Sequence, residues 1–181
     1  MTHHETQLSS EEIFDGRVIR VTRDRVQLEN GHESIREVVH HHGGAAVAAL
    51  NEKGEIYLVR QYRYALDREL IEIPAGKLEK GEDPFAAARR ELGEEAGLSA
   101  GEYRDLGPII PTCGYCSEII WMYAAKDLRP VGQHLDDDEF LSVFTLPLDE
   151  AARMALSGEI TDSKTVVAIL KLKALRDSGE F

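Results

Sequence analysis

Three glutamates stand close together near the middle of the chain, at positions 91, 94 and 95. If this segment is helical, residues three and four positions apart lie side by side, so the three carboxylates crowd onto one face. Like charges at that spacing repel one another. Either Arg89 and Arg90 neutralise them as surface ion pairs, or hard divalent cations such as Mg²⁺ bind among the carboxylate oxygens. Charge runs are most often solvated faces, and these residues alone leave both interpretations open.

The flanking residues predict a helix from about Pro84 to about Ala96. Asp83 is a good N-cap, and Pro84 suits the first helical turn. Gly97 is a natural C-terminal stop. Four apolar residues recur at helical spacing and form one stripe: Phe85, Ala88, Leu92 and Ala96. We therefore expect the three glutamates on the polar side of the helix, roughly opposite this stripe.

A longer pattern surrounds the glutamates. Gly76 is followed by Glu82, then by Arg90-Glu91-Leu92, Glu94-Glu95 and Gly97-Leu98. This resembles the Nudix box, G-x5-E-x7-R-E-U-x-E-E-x-G-U with U apolar, and every specified position matches. A match at so many specified positions is a far more specific signal than a short motif.

The resemblance implies a fold and a chemistry. Nudix proteins have an α/β/α sandwich with a mixed sheet, of the α/β or α+β class, and the box forms a loop, a helix and a second loop. Their typical substrates are nucleoside diphosphates linked to another group, and water attacks a phosphorus to cleave the pyrophosphate bridge. Mg²⁺, which Mn²⁺ can replace, neutralises the anionic substrate and orients the water.

The same resemblance implies roles for residues of the box. Glu91 and Glu95 are the expected Mg²⁺ ligands, with Glu94 as a third and the main-chain carbonyl of Ala75 as a further one. Glu95 also counts among the expected catalytic residues. Supporting roles fall to Arg90, which orients a glutamate, to Glu82, which does the same or serves the helix N-terminus, and to Gly76 and Gly97, which allow backbone conformations that other residues resist.

Segments outside the box resemble the ADP-ribose and nucleoside diphosphate sugar pyrophosphatases over nearly the whole chain. They are QYR (61–63), EIPAG (72–76), SE (117–118), LDDDEFLSV (135–143), LPLDEA (146–151) and ITDSKT (160–165). The resemblance implies hydrolysis of ADP-ribose or a related nucleoside diphosphate sugar to a nucleoside monophosphate and a sugar phosphate. One departure is Cys113, which stands where the ADP-ribose group usually has a proline, so another sugar nucleotide gains weight as the substrate.

Residues outside the box receive roles from the same branch. An acidic residue beyond the box positions or deprotonates the water, and Glu139 fits this place, with Asp137 and Asp138 as rivals. The alternative for this acidic run is a solvated loop. The expected substrate-binding residues are Arg36, Arg63, Glu72, Ser117 and Glu118. The two arginines resemble those that contact phosphate or ribose, and Arg suits bidentate phosphate contact; the alternative for both is a strand residue that points to water.

The N-terminal third has the composition of β-strands. Residues 17–28 and 34–41 predict two strands joined by a hairpin turn at Asn30-Gly31, where both residues tolerate a positive φ. The start of the chain, with His3-His4, is expected to be a disordered terminus. We predict a small N-terminal antiparallel sheet in residues 1–44 and the catalytic domain in 45–181. In the resembled branch the N-terminal sheet is exchanged across a homodimer, and the partner chain helps to hold the nucleobase.

The rest of the chain mixes strands and helices. Strands are predicted at 45–50, 55–62, 69–74, 102–107, 118–125 and 140–145, and helices at 148–156 and 163–176. Strands on both sides of helices, with hairpins throughout, indicate a mixed-sheet α+β or α/β sandwich.

The composition disfavours some classes of partner. The net charge is −12, from 33 acidic and 21 basic residues, and an acidic surface disfavours nucleic acid, whose binding depends on Lys and Arg. No apolar stretch approaches the length that spans a bilayer, and the first residues do not resemble a secretory signal. With only two cysteines, a cytoplasmic location without membrane attachment is expected.

Three alternatives stand beside a nucleotide sugar hydrolase. A nucleoside triphosphate or a dinucleoside polyphosphate would use the same box. Cys113 and Cys116 form a C-x-x-C, which suits a redox dithiol or half of a zinc site completed by His134 or by the histidines at 40–42. The third alternative is a non-catalytic nucleotide-binding module, although such a module has no need of the box acids.

Overall fold

The computed structural model describes residues 3–135 and 139–181. Asp137 and Asp138, the rivals of Glu139, therefore lie outside the described residues. The chain divides into two compact units, one formed by Met1–Gly43 with Ile110–Ile119 and the other by Gly44–Ile109 with Ile120–Phe181. The first unit thus combines the N-terminal residues with a segment from the middle of the chain.

The first unit is built on a three-stranded antiparallel sheet in the order β1 (Thr6–Asp15), β2 (Arg20–Gln27) and β3 (Glu33–His40). Strands β2 and β3 correspond to the predicted strands 17–28 and 34–41. Strand β1 was not predicted, because its polar sequence has no alternating pattern. It is a strand because its main chain pairs with β2 along its whole length.

The turn between β2 and β3 follows its prediction only in part. The Leu28 N–H donates to the His32 carbonyl at 2.8 Å, which closes the hairpin. A positive φ of 81° is found at Gly31 but not at Asn30. Asn30 contributes its side chain instead, since its Oδ1 accepts from the His32 N–H at 3.0 Å.

The middle segment of the first unit is a turn that runs beside β3. The Val39 N–H donates to the Tyr115 carbonyl at 2.7 Å, and the Val39 carbonyl accepts from the Ser117 N–H at 2.9 Å. Both cysteines of the C-x-x-C lie in this segment. Cys113 is exposed, Cys116 is half-buried, and both are free thiols.

The second unit contains two sheets and three helices among its described residues. Its strands are β4 (Gly44–Ala49), β5 (Glu55–Arg63), β6 (Arg68–Glu72), β7 (Ala75–Lys77), β8 (Leu98–Ile109), β9 (Ile120–Pro130) and β10 (Leu141–Pro147). Its helices are α1 (Pro84–Ala96), α2 (Leu148–Ser157) and α3 (Ser163–Asp177). One sheet is antiparallel, in the order β10-β5-β6; the other, β7-β4-β9-β8, is mixed, because β4 and β9 run parallel.

Strand β4 is buried along its whole length and separates two layers of helix. Because successive side chains of a strand point to opposite faces, alternate residues of β4 belong to different clusters. Ala46 and Ala48 pack in a cluster that includes Ile169 of α3. Val47 packs on the other face in a cluster that includes Leu92 of α1. The unit is therefore a helix-sheet-helix sandwich with a mixed sheet, which confirms the predicted architecture.

The three helices lie within one residue of their predicted bounds at each end. Asp162 caps α3, since its side chain accepts from the Thr165 N–H at 3.0 Å, whereas α2 has no side-chain cap at its N-terminus. Within the described part of the chain, none of the helices has the length and apolar character needed to cross a membrane.

The strand predicted at 69–74 ends at Glu72, and a further short strand that was not predicted, β7, follows it in the other sheet. Strand β6 ends at Glu72 and pairs with β5, whereas β7 begins at Ala75 and pairs with β4. Between them the Pro74 carbonyl accepts from the Val47 N–H at 2.9 Å. Pro74 has no main-chain N–H to donate to a neighbouring strand. The change of sheet therefore occurs at a residue that could make fewer strand hydrogen bonds than any other type. This change brings β7 against helix α1.

Candidate active site

Helix α1 carries the glutamates of the box, and its own sequence fixes where it begins and ends. Asp83 caps the N-terminus by accepting from the Ala86 N–H at 2.9 Å. Gly97 ends the helix in the left-handed region, with φ of 66°, and a side chain there would meet the Gln133 nitrogen at 3.0 Å. A residue other than glycine would be strained on both counts.

The glutamates do not share one polar face, and that expectation was wrong. Glu91 and Glu95 are only 7% and 2% exposed, whereas Glu94 is half-buried. Phe85, expected at the start of the buried stripe, is 38% exposed and packs its ring edge-on against Tyr103. Helix α1 lies against both β4 and β7, so Glu91 and Glu95, which are one helical turn apart, face into the protein. We call these two residues the inward pair.

The two buried carboxylates meet the main chain of β7. Glu95 Oε2 accepts from the Ala75 N–H at 2.8 Å. A Cβ at Gly76 would lie 1.8 Å from Glu91 Oε1, so the carboxylate occupies the place of a side chain. Gly76 was expected to be needed for its backbone conformation, but its φ is not positive. A glycine is needed there because the Glu91 carboxylate approaches its Cα closely.

Arg90 holds the other carboxylates of the box. Its guanidinium donates to Glu82 through Nε at 3.1 Å, and through Nη1 to Glu91 at 2.7 Å and to Glu94 at 2.8 Å. Arg89 instead lies over the Phe85 ring, 6.0 Å from its centroid. The ion-pair interpretation thus describes Glu82, Glu91 and Glu94, but it leaves Glu95 with an amide as its partner.

Burial raises the pKa of both carboxyl groups of the inward pair. Desolvation raises the pKa of Glu91 to about 7, although the charge of Arg90 opposes the rise. Desolvation raises the pKa of Glu95 to about 8, and the neighbouring charges of Glu91 and Glu139 add to it, against the hydrogen bond from Ala75. Two carboxylates in this state are stabilised as anions by a nearby cation.

The chemistry of these donors fits a hard divalent cation. Glu91, Glu95 and the carbonyl of Ala75 would offer only oxygen atoms, as Mg²⁺ prefers. Within residues 3–135 and 139–181, no group of three His, Cys, Asp or Glu side chains is placed to hold a metal ion. Glu91 and Glu95 are buried beside β7, and Glu94, which was also expected as a ligand, is bonded to Arg90.

The C-terminal end of α1 is covered by residues 131–134, which sequence reasoning did not connect with the site. Gln133 Nε2 donates to the Glu95 carbonyl at 2.7 Å, and the His134 N–H donates to the Glu94 carbonyl at 3.0 Å. These bonds satisfy helix carbonyls that have no partner within the helix. Glu139, which comes later in the sequence, is half-buried, and its charge contributes to raising the pKa of Glu91 and Glu95.

Arg63 and Glu72 form one bidentate ion pair. Arg63 Nε and Nη2 donate to the two oxygens of Glu72 at 2.6 and 2.7 Å. Glu72, which was expected to bind substrate, is 1% exposed, whereas the Arg63 side chain is 40% exposed. Lys164 of α3 also donates to Glu72 from 92 residues away in the sequence, a partnership that nothing in the local pattern signals.

The remaining expected substrate residues lie in the first unit. Arg36 makes a bidentate pair with Glu5, with Nε donating at 2.9 Å. Ser117 and Glu118 both contact His41, because the Ser117 hydroxyl accepts from the His41 N–H at 3.0 Å and the Glu118 carboxylate lies 3.5 Å from His41 Nδ1. The structure therefore places Ser117 and Glu118 around His41, whereas Arg36 is paired with Glu5.

The contact between Gly76 and Glu91 predicts the effect of a methyl group. Gly76→Ala should lower the free energy of unfolding by about 1–3 kcal/mol, the usual cost of overpacking, and should weaken Mg²⁺ binding, because Glu91 must move. Chemical denaturation and Mg²⁺ titration measure the two effects. Gly93→Ala in α1, the helix that carries Glu91, is the control, since its Cβ would approach nothing closer than 3.8 Å. Equal behaviour of the two variants would contradict the steric account.

The raised pKa values predict how the metal-free protein responds to pH. A carboxyl whose pKa is raised on folding adds stability below its unfolded value, and loses it as pH rises through the folded value, here about 7 for Glu91 and about 8 for Glu95. In EDTA, Tm should therefore fall more steeply in wild type than in Glu95→Gln between about pH 5.5 and about pH 8.5. Mg²⁺ should raise the wild-type Tm most at the alkaline end. Parallel curves for the two proteins would contradict the assignment.

Two family models match the sequence. The NUDIX domain matches residues 40–168, which include the whole box. The nucleoside diphosphate sugar hydrolase N-terminal domain matches residues 5–39, which include the three strands of the first unit nearly completely. Together the two models account for most of the chain.

Known proteins resemble the chain over nearly its full length. It is 43% identical over 171 residues to the methanol dehydrogenase activator of Bacillus methanolicus, and 40% identical over 171 residues to the ADP-ribose pyrophosphatase of Bacillus subtilis (strain 168); each match covers 93% of this chain and 92% of the relative. A solved structure, "Crystal structure of ADP compounds hydrolase", shares its fold with a TM-score of 0.86 at 22% identity, over 100% of this chain and 99% of that one. On the domain match and these identities, the chain belongs to the Nudix family.

Proposed function

We propose that the chain hydrolyses the pyrophosphate bond of a nucleoside diphosphate sugar, with ADP-ribose as the leading substrate and Mg²⁺ as the cofactor. Water adds to one phosphorus, the bridging oxygen leaves with the other, and the products are a nucleoside monophosphate and a sugar phosphate. The observation that carries the proposal is the inward pair Glu91 and Glu95, two buried carboxylates of which Glu95 has no cationic partner among the described residues.

The cation also explains how an acidic protein binds an anion. The net charge is −12, so a diphosphate meets repulsion unless a cation intervenes. Glu91, Glu95 and the Ala75 carbonyl would hold Mg²⁺, and Glu94 is the proposed third carboxylate, sharing its present bond to Arg90. When bound, Mg²⁺ would neutralise phosphate charge and lower the pKa of a water molecule. Mn²⁺ is expected to replace it, since it accepts the same ligands.

Other residues act on the substrate and on the water. Glu139 is the proposed base, since its carboxylate lies close enough to influence Glu91 and Glu95. Arg63 is proposed to contact the diphosphate, because its guanidinium is partly exposed and fixed in direction by Glu72. Glu72 is then a partner of Arg63 rather than a substrate contact.

Three residues of the first unit are proposed to contact the nucleoside end of the substrate. They are Ser117 and Glu118, which form one of the segments that resemble the nucleotide sugar hydrolases, and Arg36, which lies in the part matched by the N-terminal domain model. Ser117 and Glu118 are already organised around His41, and Arg36 is held by Glu5. Such preorganised polar groups cost less to order when a ligand binds.

The identity of the sugar and the base depends on two observations. The relative named ADP-ribose pyrophosphatase supports ADP-ribose. Cys113, which takes the place of a proline in the ADP-ribose group, favours a different sugar nucleotide as the second candidate. The chemistry at the box is the same for both, because it acts on the diphosphate alone.

We also propose that the protein works as a homodimer in the cytoplasm. Strand β1 is exposed along its whole length, and Leu8 and Ile13 are 45% and 48% exposed. Each of these two apolar residues sits at a β-bulge and has no register partner on β2. A long exposed edge strand with apolar residues is a site for pairing with another chain. The resemblance of these residues to a branch whose N-terminal sheet is exchanged across a homodimer suggests a second copy as that chain.

The first experiment is product analysis on a panel of substrates. Mass spectrometry would follow ADP-ribose, UDP-glucose, GDP-mannose, a deoxynucleoside triphosphate and a diadenosine polyphosphate, with Mg²⁺ and with EDTA. We expect AMP and ribose 5-phosphate from ADP-ribose, and no turnover in EDTA. Preference for another sugar nucleotide would move the specificity and keep the chemistry, and cleavage of none of the panel would contradict the proposed function.

The same assay tests the site. Glu95→Gln should retain the fold and lower kcat by ~10- to 100-fold or more. That range is typical when a residue that only supports a metal ligand is lost, and a direct ligand should matter at least as much. Glu102→Gln is the matched control, because it makes the same change in an exposed ion pair with Lys126 at 3.0 Å. Unchanged turnover in Glu95→Gln would contradict the site.

The dimer is tested by mass measurement in solution. Light scattering during gel filtration should give twice the chain mass of 20.2 kDa for wild type. The double change Leu8→Glu and Ile13→Glu should shift the protein towards the monomer, because charges replace the exposed apolar residues of β1. Glu11→Gln on the same strand should remain dimeric. A monomeric wild type would contradict the proposal.

A further inference from the structure

A second set of buried charges lies where α3 begins, outside the Nudix box. It consists of Arg63, Glu72, Asp162, Lys164 and Thr165, and we call it the α3 cluster. Glu72 is 1% exposed, Lys164 8% and Thr165 0%. Charged groups at this depth persist only when they are paired and hydrogen-bonded. Every buried polar side chain among the described residues does have a hydrogen-bond partner.

Glu72 is the centre of the α3 cluster. Its two oxygens accept the fork of the Arg63 guanidinium, and Glu72 Oε2 also accepts from Lys164 Nζ. Burial opposes ionisation of Glu72, but the bonds from Arg63 and the charge of Lys164 hold its pKa below the ordinary value. Glu72 is therefore a carboxylate anion shared between two cations.

Lys164 stands at a position where a helix does not favour a cation. It is the second residue of α3, near the positive end of the helix dipole. Its ammonium group donates to Glu72 and, at 3.0 Å, to the N-cap residue Asp162. The contribution of Lys164 is therefore made to Glu72 rather than to the helix.

The first turn of α3 also binds the main chain that leads into the box. Thr165 Oγ1 accepts from the Ile73 N–H at 2.9 Å and donates to Asp162 at 2.6 Å. Glu72 by its side chain and Ile73 by its main chain are thus both tied to one helical turn. Ala75, which offers a carbonyl to the proposed Mg²⁺ site, follows two residues after Ile73.

Arg63 carries the effect of the α3 cluster to the proposed site. Its pKa is raised first by the hydrogen bonds to Glu72, and the more distant charge of Glu95 also contributes. The Arg63 guanidinium is therefore close enough for the charge of Glu95 to act on it. Its side chain is 40% exposed, and no hydrogen bond from Nη1 is found among the described residues. One edge of the guanidinium is fixed, and the other is available to an anion.

We propose that Lys164 is a positioning residue for hydrolysis: by sharing Glu72 with Arg63, it fixes the direction in which the Arg63 guanidinium meets the substrate diphosphate. This inference rests on the proposed function. A long arginine side chain that is already oriented loses less freedom when the substrate binds. Without Lys164, Glu72 has only Arg63 as a cationic partner. The Glu72 carboxylate can then move with the Arg63 side chain and no longer fixes its direction.

The test compares Lys164→Met with Lys171→Met in steady-state hydrolysis of ADP-ribose, or of the panel substrate that wild type prefers. Lys171 is the matched control, because its ammonium also makes an internal bond from α3, to the Leu106 carbonyl at 2.6 Å. We expect Lys164→Met to lose between about 10-fold and about 100-fold in kcat/KM, the larger figure being typical of a displacement of about 1 Å. The loss should fall mainly on KM, and Lys171→Met should match wild type.

A double-mutant cycle separates positioning from a general structural role. Arg63→Lys keeps a positive charge beside Glu72 but removes the planar fork. If Lys164 acts through that fork, Lys164→Met should change kcat/KM by less than about threefold in the Arg63→Lys background, a departure from additivity that only coupled residues show. Equal losses in both backgrounds, in proportion to a lowered Tm, would overturn the inference in favour of a structural role.

A charge-neutral variant guards against loss of the fold. Lys164→Met alone leaves an extra buried negative charge, so the double change Asp162→Asn and Lys164→Met keeps the net charge, and Asn remains a good N-cap. This variant should fold and show the same rise in KM. A folded variant with wild-type KM would overturn the inference while leaving the proposed function intact. Absence of turnover by wild type would overturn the proposed function, and the inference with it.

Discussion

Two carboxylates are buried on adjacent turns of α1, and much of the second unit is arranged to accommodate them. Glu91 and Glu95 are almost fully buried, and ionised groups at that depth carry a large desolvation cost. Both carboxylates lie against the main chain of β7, although Glu91 is also bonded to Arg90. This arrangement requires a glycine at position 76, and the chain passes from one sheet to the other at Pro74 just before β7 begins. The ends of α1 are fixed by a capping aspartate before it and by residues 131–134 after it.

The same unit neutralises its buried acids in three different ways. Glu91 shares Arg90 with two other carboxylates of the box, and Glu72 is shared by two cations. Glu95 receives a main-chain N–H and no cation among the described residues. The buried carboxyl group without a cationic partner therefore lies beside strand β7. Under the proposed function, a metal cation bound there would let this acidic protein bind a diphosphate.

The free thiols of Cys113 and Cys116 belong to the first unit, in a turn held to β3 by main-chain bonds. No zinc-like group of three ligands exists within the described residues, and the domain matches account for both units without one. The first unit has little core of its own, since Val26 is its one buried apolar residue among those described. A small sheet of this kind gains stability from association, which agrees with the proposed homodimer.

The sequence by itself determined the family, the chemistry and the bounds of the helices. The box matches at every specified position, and Asp83 and Gly97 mark the ends of α1 by local capping that needs no partner from elsewhere. Tertiary structure decided what periodicity does not encode. Which face of α1 turns inward depended on β4 and β7 packing against it, so Glu91 and Glu95, expected on the polar side, are buried. Strand β1 and the bond from Lys164 to Glu72 depend on residues distant in the chain, because main-chain pairing and buried ion pairs leave no mark on a local pattern.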